Sequence, residues 1–423
     1  MNDHQFLRKL FECAVSAANP QYLMEKFLPK KPKGRTIVVG AGKAAAQMAL
    51  ALETLWDKAG YGKLEGMIVT CYGCCVKPRW INVVEASHPL PDENGLAAAK
   101  KLIELVHGLS RDDLVIALIC GGGSSLLPLP LEPLALNDEI AINEALLKSG
   151  APIGVINTIR KHLSQIKGGR LALHAAPARV VSFIVSDIPG DIAAQVASGP
   201  TVPDWSTRQD ALKYIDYYHI ALPKKVVALL NSDAAEAPKP DNPAFGANAT
   251  YIVASAAKSL EAAAAHARTQ GVNAVILSDS IEGEAKDIAL MHAAIARQII
   301  LTDQPFKKPV VMLSGGETSV TIQGACGKGG RNSEFLLAFA IAIQGFHKIT
   351  VLAADTDGKD GSENNAGAFC DGNTFLRLQQ KGLDPARYLG GHDAWTAFNH
   401  IDDLLVTGAT GTNVNDFRAI LIH

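Results

Sequence analysis

The 423-residue sequence predicts an α/β fold of two domains with largely parallel sheets. Three observations carry that expectation. Short β-branched runs alternate with Ala- and Leu-rich helical stretches along the chain. The rhythm breaks clearly once, at NSDAAEAPKPDNPAFGANAT (231–250), which holds prolines and no apolar periodicity. Polar, glycine-rich loops follow strand after strand, which is where open α/β sheets bind ligands.

The expected strands in the first half are RTIVV (35–39), GMIVT (66–70), INVVE (81–85), DLVIALI (113–119) and ARVVSFIV (178–185). In the second half they are TYIVA (250–254), NAVIL (273–277), PVVML (309–313), KITVLA (348–353) and DLLVT (403–407). A last apolar run, RAILI (418–422), fits either sheet. Helical segments such as 94–109 and 257–271 lie between strands. The proline-rich break sets the expected domains at 1–232 and 250–423, with a linker at about 233–249.

Composition narrows the function classes. Hydrophobic residues make up 48% and charged residues 19%, ordinary for a soluble globular protein, and the net charge of −2 gives no electrostatic reason to expect nucleic acid or an anionic membrane. The longest apolar run, FLLAFAIAI, is too short to span a bilayer, and the N-terminal stretch lacks a signal-peptide core. A cytoplasmic protein is expected, and homo-oligomerisation stays open. The seven cysteines are scattered; Cys71, Cys74 and Cys75 in CYGCC lack the partners of a zinc set, so reduced structural thiols are expected.

The strand-end loops carry the chemistry. They read GAGK, CGGGSS, SDIPGD, SGGET, ADTDGKDG and GATGTNVND. Glycine lets backbone amides approach phosphate, and Asp, Ser and Thr supply metal and hydroxyl contacts. GAGKAA matches the G-x-G-x-x-A dinucleotide pattern after a strand, but the next strand, GMIVT, ends in Thr70-Cys71 without the ribose-binding acid. Gly42 would form the turn, and Lys43 places a cation where a transferred phosphoryl or a substrate carboxylate would sit. No G-K-[ST] P-loop and no G-x-S-x-G elbow is present.

Charged residues sharpen this. NTIRKHLSQIKGGRLA gathers Arg160, Lys161, Lys167 and Arg170, readable as an anion site or as a solvated basic face. SDIPGD supplies Asp187 and Asp191, and ADTDGKDG supplies Asp355, Asp357 and Asp360, spaced carboxylates that suit Mg²⁺. Arg331, beside glycines before an apolar helix, can neutralise transition-state phosphate charge.

Together, GAGKA, CGGGSSL, NTIRKHLSQIKGGRLA, SDIPGD, ASGPTVPD, SGGETSVTIQG, GKGGRNSEF, AADTDGKDG and TGTNVND closely resemble the glycerate 2-kinase family, from about residue 6 to the C-terminus. The resemblance implies a Rossmann-like N-terminal domain, a C-terminal MOFRL domain and an active site in the cleft between them. It implies phosphorylation of D-glycerate at the 2-hydroxyl by ATP, with Mg²⁺ or another divalent ion. Lys43, Arg331, Asp187 and Asp355 are the candidate catalytic residues. Asp187 and Asp355 are also candidate metal ligands. Gly42, Gly121, Gly122, Gly123, Ser124, Ser125, Arg160, Lys161 and Asp191 are binding candidates. So are Glu317, Asn332, Asp357, Thr412, Asn413 and Asp416. Two alternatives remain: an NAD(P)H-dependent hydroxypyruvate reductase, a label members of this family often carry, and a non-catalytic sugar-acid or nucleotide binder.

Overall fold

The computed structural model describes residues 2–322, 324 and 326–423, except the side chains of residues 21, 22 and 189. The chain divides into two compact units, Pro20–Val253 and Met1–Asn19 with Ala254–His423.

The first unit is built on a six-stranded sheet. Its strands are β1 (Thr36–Ala41), β2 (Glu65–Cys71), β3 (Asn82–Ala86), β4 (Leu114–Cys120), β5 (Arg179–Ser186) and β6 (Ala249–Ser255). They lie in the order β3-β2-β1-β4-β5-β6, and the four pairings from β3 through β5 are parallel. This is the order of a doubly wound dinucleotide-binding sheet, whose ligands bind beyond the carboxyl ends of the strands. β4 is buried along its whole length, which is why it reads as an unbroken apolar run rather than an alternation.

The second unit differs from the parallel sheet expected. Its strands are β7 (Asn273–Ser278), β8 (Gly283–Glu284), β9 (Val310–Gly316), β10 (Thr318–Ser319), β11 (Ile349–Asp355), β12 (Gly367–Asp371), β13 (Leu404–Leu405) and β14 (Asp416–Ile422). The main sheet runs β13-β12-β11-β14-β9-β7, and every pair except β7–β9 is antiparallel. The cause is connectivity: β11 passes to β12 through a loop without a crossover helix, so the strands must run opposite ways. RAILI belongs to this sheet, as β14 between β11 and β9.

The helix Asp3–Ala17 belongs to the second unit, contrary to the expected division at 232. Its apolar stripe, Phe6, Leu7, Leu10, Phe11 and Ala14, recurs at helical spacing and packs with Leu260, Ala263, Ala264 and Ala267 of the helix Ala256–Thr269. The segment read as a linker lies inside the first unit, where it forms two short turns, Asp233–Ala235 and Pro243–Phe245. FLLAFAIAI forms most of the helix Arg331–Ala342, buried nearly all round, as expected of a helix without a polar face.

Candidate active site

In the first unit the loops after β1 and β4 lock together. Gly42 N donates to Val69 O at 3.1 Å, Lys43 N to Gly121 O at 2.9 Å, and Ala44 N to the Cys120 Sγ at 3.2 Å. A Cβ on Gly42 would lie 2.3 Å from that sulfur, so only glycine fits, with φ +138°. The amides that a pyrophosphate would need in a G-x-G-x-x-A turn are therefore spent inside the protein. The Lys43 side chain remains, half-buried and without an ion-pair partner among the described residues.

Around Gly122 the structure gathers Lys43, Arg160 and a residue the sequence reading missed, His88. A Cβ at Gly122 would meet His88 Nε2 at 3.1 Å and Lys43 Cγ at 3.2 Å. Burial, then the charges of Lys43 and Arg160, push the His88 pKa down to about 4, so its imidazole is neutral at pH 7. Arg160 is held by Asn143 at 2.8 Å and Asn157 at 3.5 Å, and burial lowers its pKa to about 10. Asn157 also accepts from Ser198, whose hydroxyl meets that of Ser124 at 2.7 Å. Ser125 turns inward to Gly122 O.

Asp187, from SDIPGD, stands against the same loop. A Cβ on Gly121 would fall 2.1 Å from its Oδ2, so the glycine makes room for the carboxylate. A Cβ on Gly123 would meet Ala197 at 2.7 Å. Asp191 sits half-buried in the following turn, with φ +54°.

The basic stretch splits by role. The charge of Arg160 acts on His88, but Lys161 is buried in an ion pair with Asp204. Lys167 is buried against Glu139 at 2.8 Å and the Leu127 carbonyl. Arg170 holds the carbonyls of Lys161, Ala235 and Glu236. These three cations brace the unit's framework, so the expectation that Lys161 binds an anion is replaced by a structural role. The sequence could not separate them, because adjacent helical positions face different ways.

In the second unit the register makes the site. Asp416 opposes both Asp355 and Gly316, so the end of β11, the start of β14 and the end of β9 share one edge. Arg331 forks across that edge: Nε to Asp416 at 2.7 Å, Nη1 to Glu317 at 2.9 Å and Nη2 to Asp355 at 2.6 Å. Arg331 is thus already paired with three carboxylates within its own unit. Asn332 also donates to Asp416, at 2.8 Å. The buried Asp360 caps the helix by accepting from the amides of Asn332 and Ser333.

Electrostatics divide the carboxylates. Burial, with Asp357 close by, raises the Asp355 pKa well above the usual range despite Arg331. Burial also works to raise Asp416, but Arg418 and Arg331 outweigh it and hold that carboxyl low. Asp357 accepts from Asn413 at 3.3 Å. Thr412 donates to Ala18 O at 2.8 Å, which ties the loop to the N-terminal segment rather than to a ligand.

The expected reduced state of CYGCC is also corrected. Cys71 and Cys74 are joined in a disulfide where the chain turns after β2, their Cα atoms 5.5 Å apart, and Cys75 is free and exposed.

Fold and strand-end chemistry thus define a two-unit α/β protein with a doubly wound N-terminal sheet and clustered groups suited to anionic substrates. Residues 6–231 match a domain of unknown function, DUF4147, and residues 310–416 match the MOFRL family. A D-glycerate 2-kinase of Thermotoga maritima is 39% identical over 100% of both chains, and a putative hydroxypyruvate reductase of Agrobacterium vitis is 47% identical over 99% of this chain and 94% of its own. The crystal structure of the Thermotoga maritima glycerate kinase superposes with a TM-score of 0.87 at 38% identity, covering 99% of each chain. The chain belongs to the glycerate 2-kinase family.

Proposed function

We propose that this protein is a cytoplasmic glycerate 2-kinase, moving the γ-phosphoryl of ATP to the 2-hydroxyl of D-glycerate and releasing ADP and 2-phosphoglycerate. One bond forms between the 2-oxygen and the γ-phosphorus, the bond to the β-bridging oxygen breaks, and the hydroxyl proton passes to a base. Such a transfer needs positioning and charge neutralisation more than covalent chemistry.

The observation that carries the reading is Lys43. It stands without an ion-pair partner among the described residues, on a turn whose amides are already bonded, which disfavours a dinucleotide and leaves a cation for an anionic substrate. Lys43 and Arg160 would hold the carboxylate or phosphate charge, and Ser124 and Asn157 would orient it. Asp187 or Asp355 would take the proton; a carboxyl with a raised pKa, as at Asp355, suits a base working near neutrality. Arg331 would act as a preset fork that orders Asp355 and Asp416.

A divalent ion would neutralise the polyphosphate. Asp355 and Asp357 fit a hard cation held through one or two carboxylates, with waters and phosphate oxygens completing its shell. Among the described residues no three His, Cys, Asp or Glu side chains form a closed metal cage. Also among them, no helix is long and apolar enough to cross a membrane.

The test runs two reactions side by side: MgATP with D-glycerate, followed by ADP release, and NADH with hydroxypyruvate. ADP release without NADH oxidation is expected. NADH oxidation without ADP release would return the protein to the reductase reading.

A further inference from the structure

A cavity of about 430 Å³ lies in the second unit beside Arg331, within the size range of small-ligand sites. Val320, Ile322 and Ala394 give it apolar surface, Gly329 a backbone wall, and His392 and Glu334 its polar end. Glu334 is 3% exposed. Its Oε2 fixes His392 Nδ1 at 2.8 Å, while its Oε1, also buried, has no hydrogen-bond partner among the described residues. A buried carboxylate oxygen left unpaired costs free energy until a donor reaches it. A largely apolar cavity whose lining includes one buried, unpaired acceptor suits a heteroaromatic ring bearing an amino group.

We infer that this cavity takes the adenine ring of the nucleotide, and that Glu334 Oε1 accepts from the 6-amino group. The inference deepens the kinase reading, from which it takes only the identity of the nucleotide. With the base here, the phosphates extend past Arg331 toward Asp355 and Asp357, the pair suited to a divalent ion. His392 keeps the second carboxylate oxygen occupied, so one donor is read and not two.

The test is calorimetric binding without glycerate, comparing ADP with purine riboside diphosphate, which lacks only the 6-amino group. A site built to hydrogen-bond an amine discriminates strongly against the analogue lacking it. ADP is expected to bind at least about ten-fold tighter, and Glu334→Leu to bring it down to the analogue's level. Ile322 is exposed, so Ile322→Asp is expected to fold and to weaken ADP by about ten-fold through lost apolar contact. Should Glu334→Leu not fold, the wild-type comparison and Ile322→Asp still decide. Equal affinity for ADP and the analogue, or unchanged binding in Ile322→Asp, overturns the assignment. Selective ADP binding by a protein that releases no ADP with D-glycerate would leave the adenine site standing and sink the kinase reading.

Discussion

The amide of Lys43 donates to the carbonyl of Gly121 at 2.9 Å, so the glycine turn after β1 is stitched to the one after β4. The motif that looks most like a dinucleotide fingerprint is thus an internal splice that leaves only the Lys43 side chain for a ligand. NADH and NADPH are therefore expected not to bind, which nicotinamide fluorescence titration checks directly. Gly42→Ala would drive a Cβ against the sulfur and carbonyl of Cys120, and overpacking of that kind costs about 1–3 kcal/mol. An unchanged urea midpoint in that variant would contradict the splice.

Asp187 rests in the space left by the missing side chain of Gly121. If Asp187 takes the substrate proton, Asp187→Asn should lower kcat by about 10²- to 10⁴-fold with KM little changed. Gly121→Ala should lower turnover too, by displacing the carboxylate. Normal turnover in folded Asp187→Asn would leave Asp355 as the base.

Arg331 joins three carboxylates, so its replacement reads on two scales. Arg331→Ala takes a cation away from the buried Asp355 and the buried, ionised Asp416 and is expected to cost about 3–5 kcal/mol as well as activity. Arg331→Lys keeps the charge but loses the fork. It should retain most of the stability while turnover still falls, because a lysine cannot hold three acids in a fixed plane. Equal losses of stability in both variants, by thermal denaturation, would make charge alone the issue.

Two histidines contribute strongly to the acid limb of stability. His88 and His292 both have folded pKa values lowered from 6.5 to about 4, by burial first in each case. Between those values the unfolded chain binds protons that the folded one refuses, so stability is complete above about 6.5 and is lost as pH falls toward 4. For His292, buried against Ser314 and Ile288, the contribution is about 3 kcal/mol. His292→Gln should flatten the pH dependence of the denaturation midpoint across that window; an unchanged slope would contradict a neutral buried ring. An anion bound beside Lys43 and Arg160 should raise the His88 pKa, seen as proton uptake on ligand binding near pH 5.

Much of the first unit was legible because its central strands β1, β4 and β5 are buried nearly throughout and each loop carries its own polar signature. The second sheet was less so. The strand β12, GAFCD, is short and small-residued, and nothing local says that β14 inserts between β9 and β11. Asp416 was found as part of TGTNVND, yet its place beside Asp355 depends on antiparallel register, which a strand-then-helix reading does not supply. His88 escaped because it follows β3 without glycines. Its signal, a histidine at a carboxyl strand end, was there to be used. The ties of Lys161, Lys167 and Arg170 to Asp204, Glu139 and backbone carbonyls reach across 9 to 66 positions of sequence, beyond any local pattern.

The most direct measurement is phosphorus NMR of the product formed from MgATP and D-glycerate, with Lys43→Ala run in parallel. A 2-phosphoglycerate signal from the wild type, falling by roughly 10³-fold or more in initial rate in the folded variant, is the expected result. A signal from 3-phosphoglycerate would contradict the position of transfer. Full-rate product from Lys43→Ala would contradict the assignment of Lys43 on which the proposed chemistry turns.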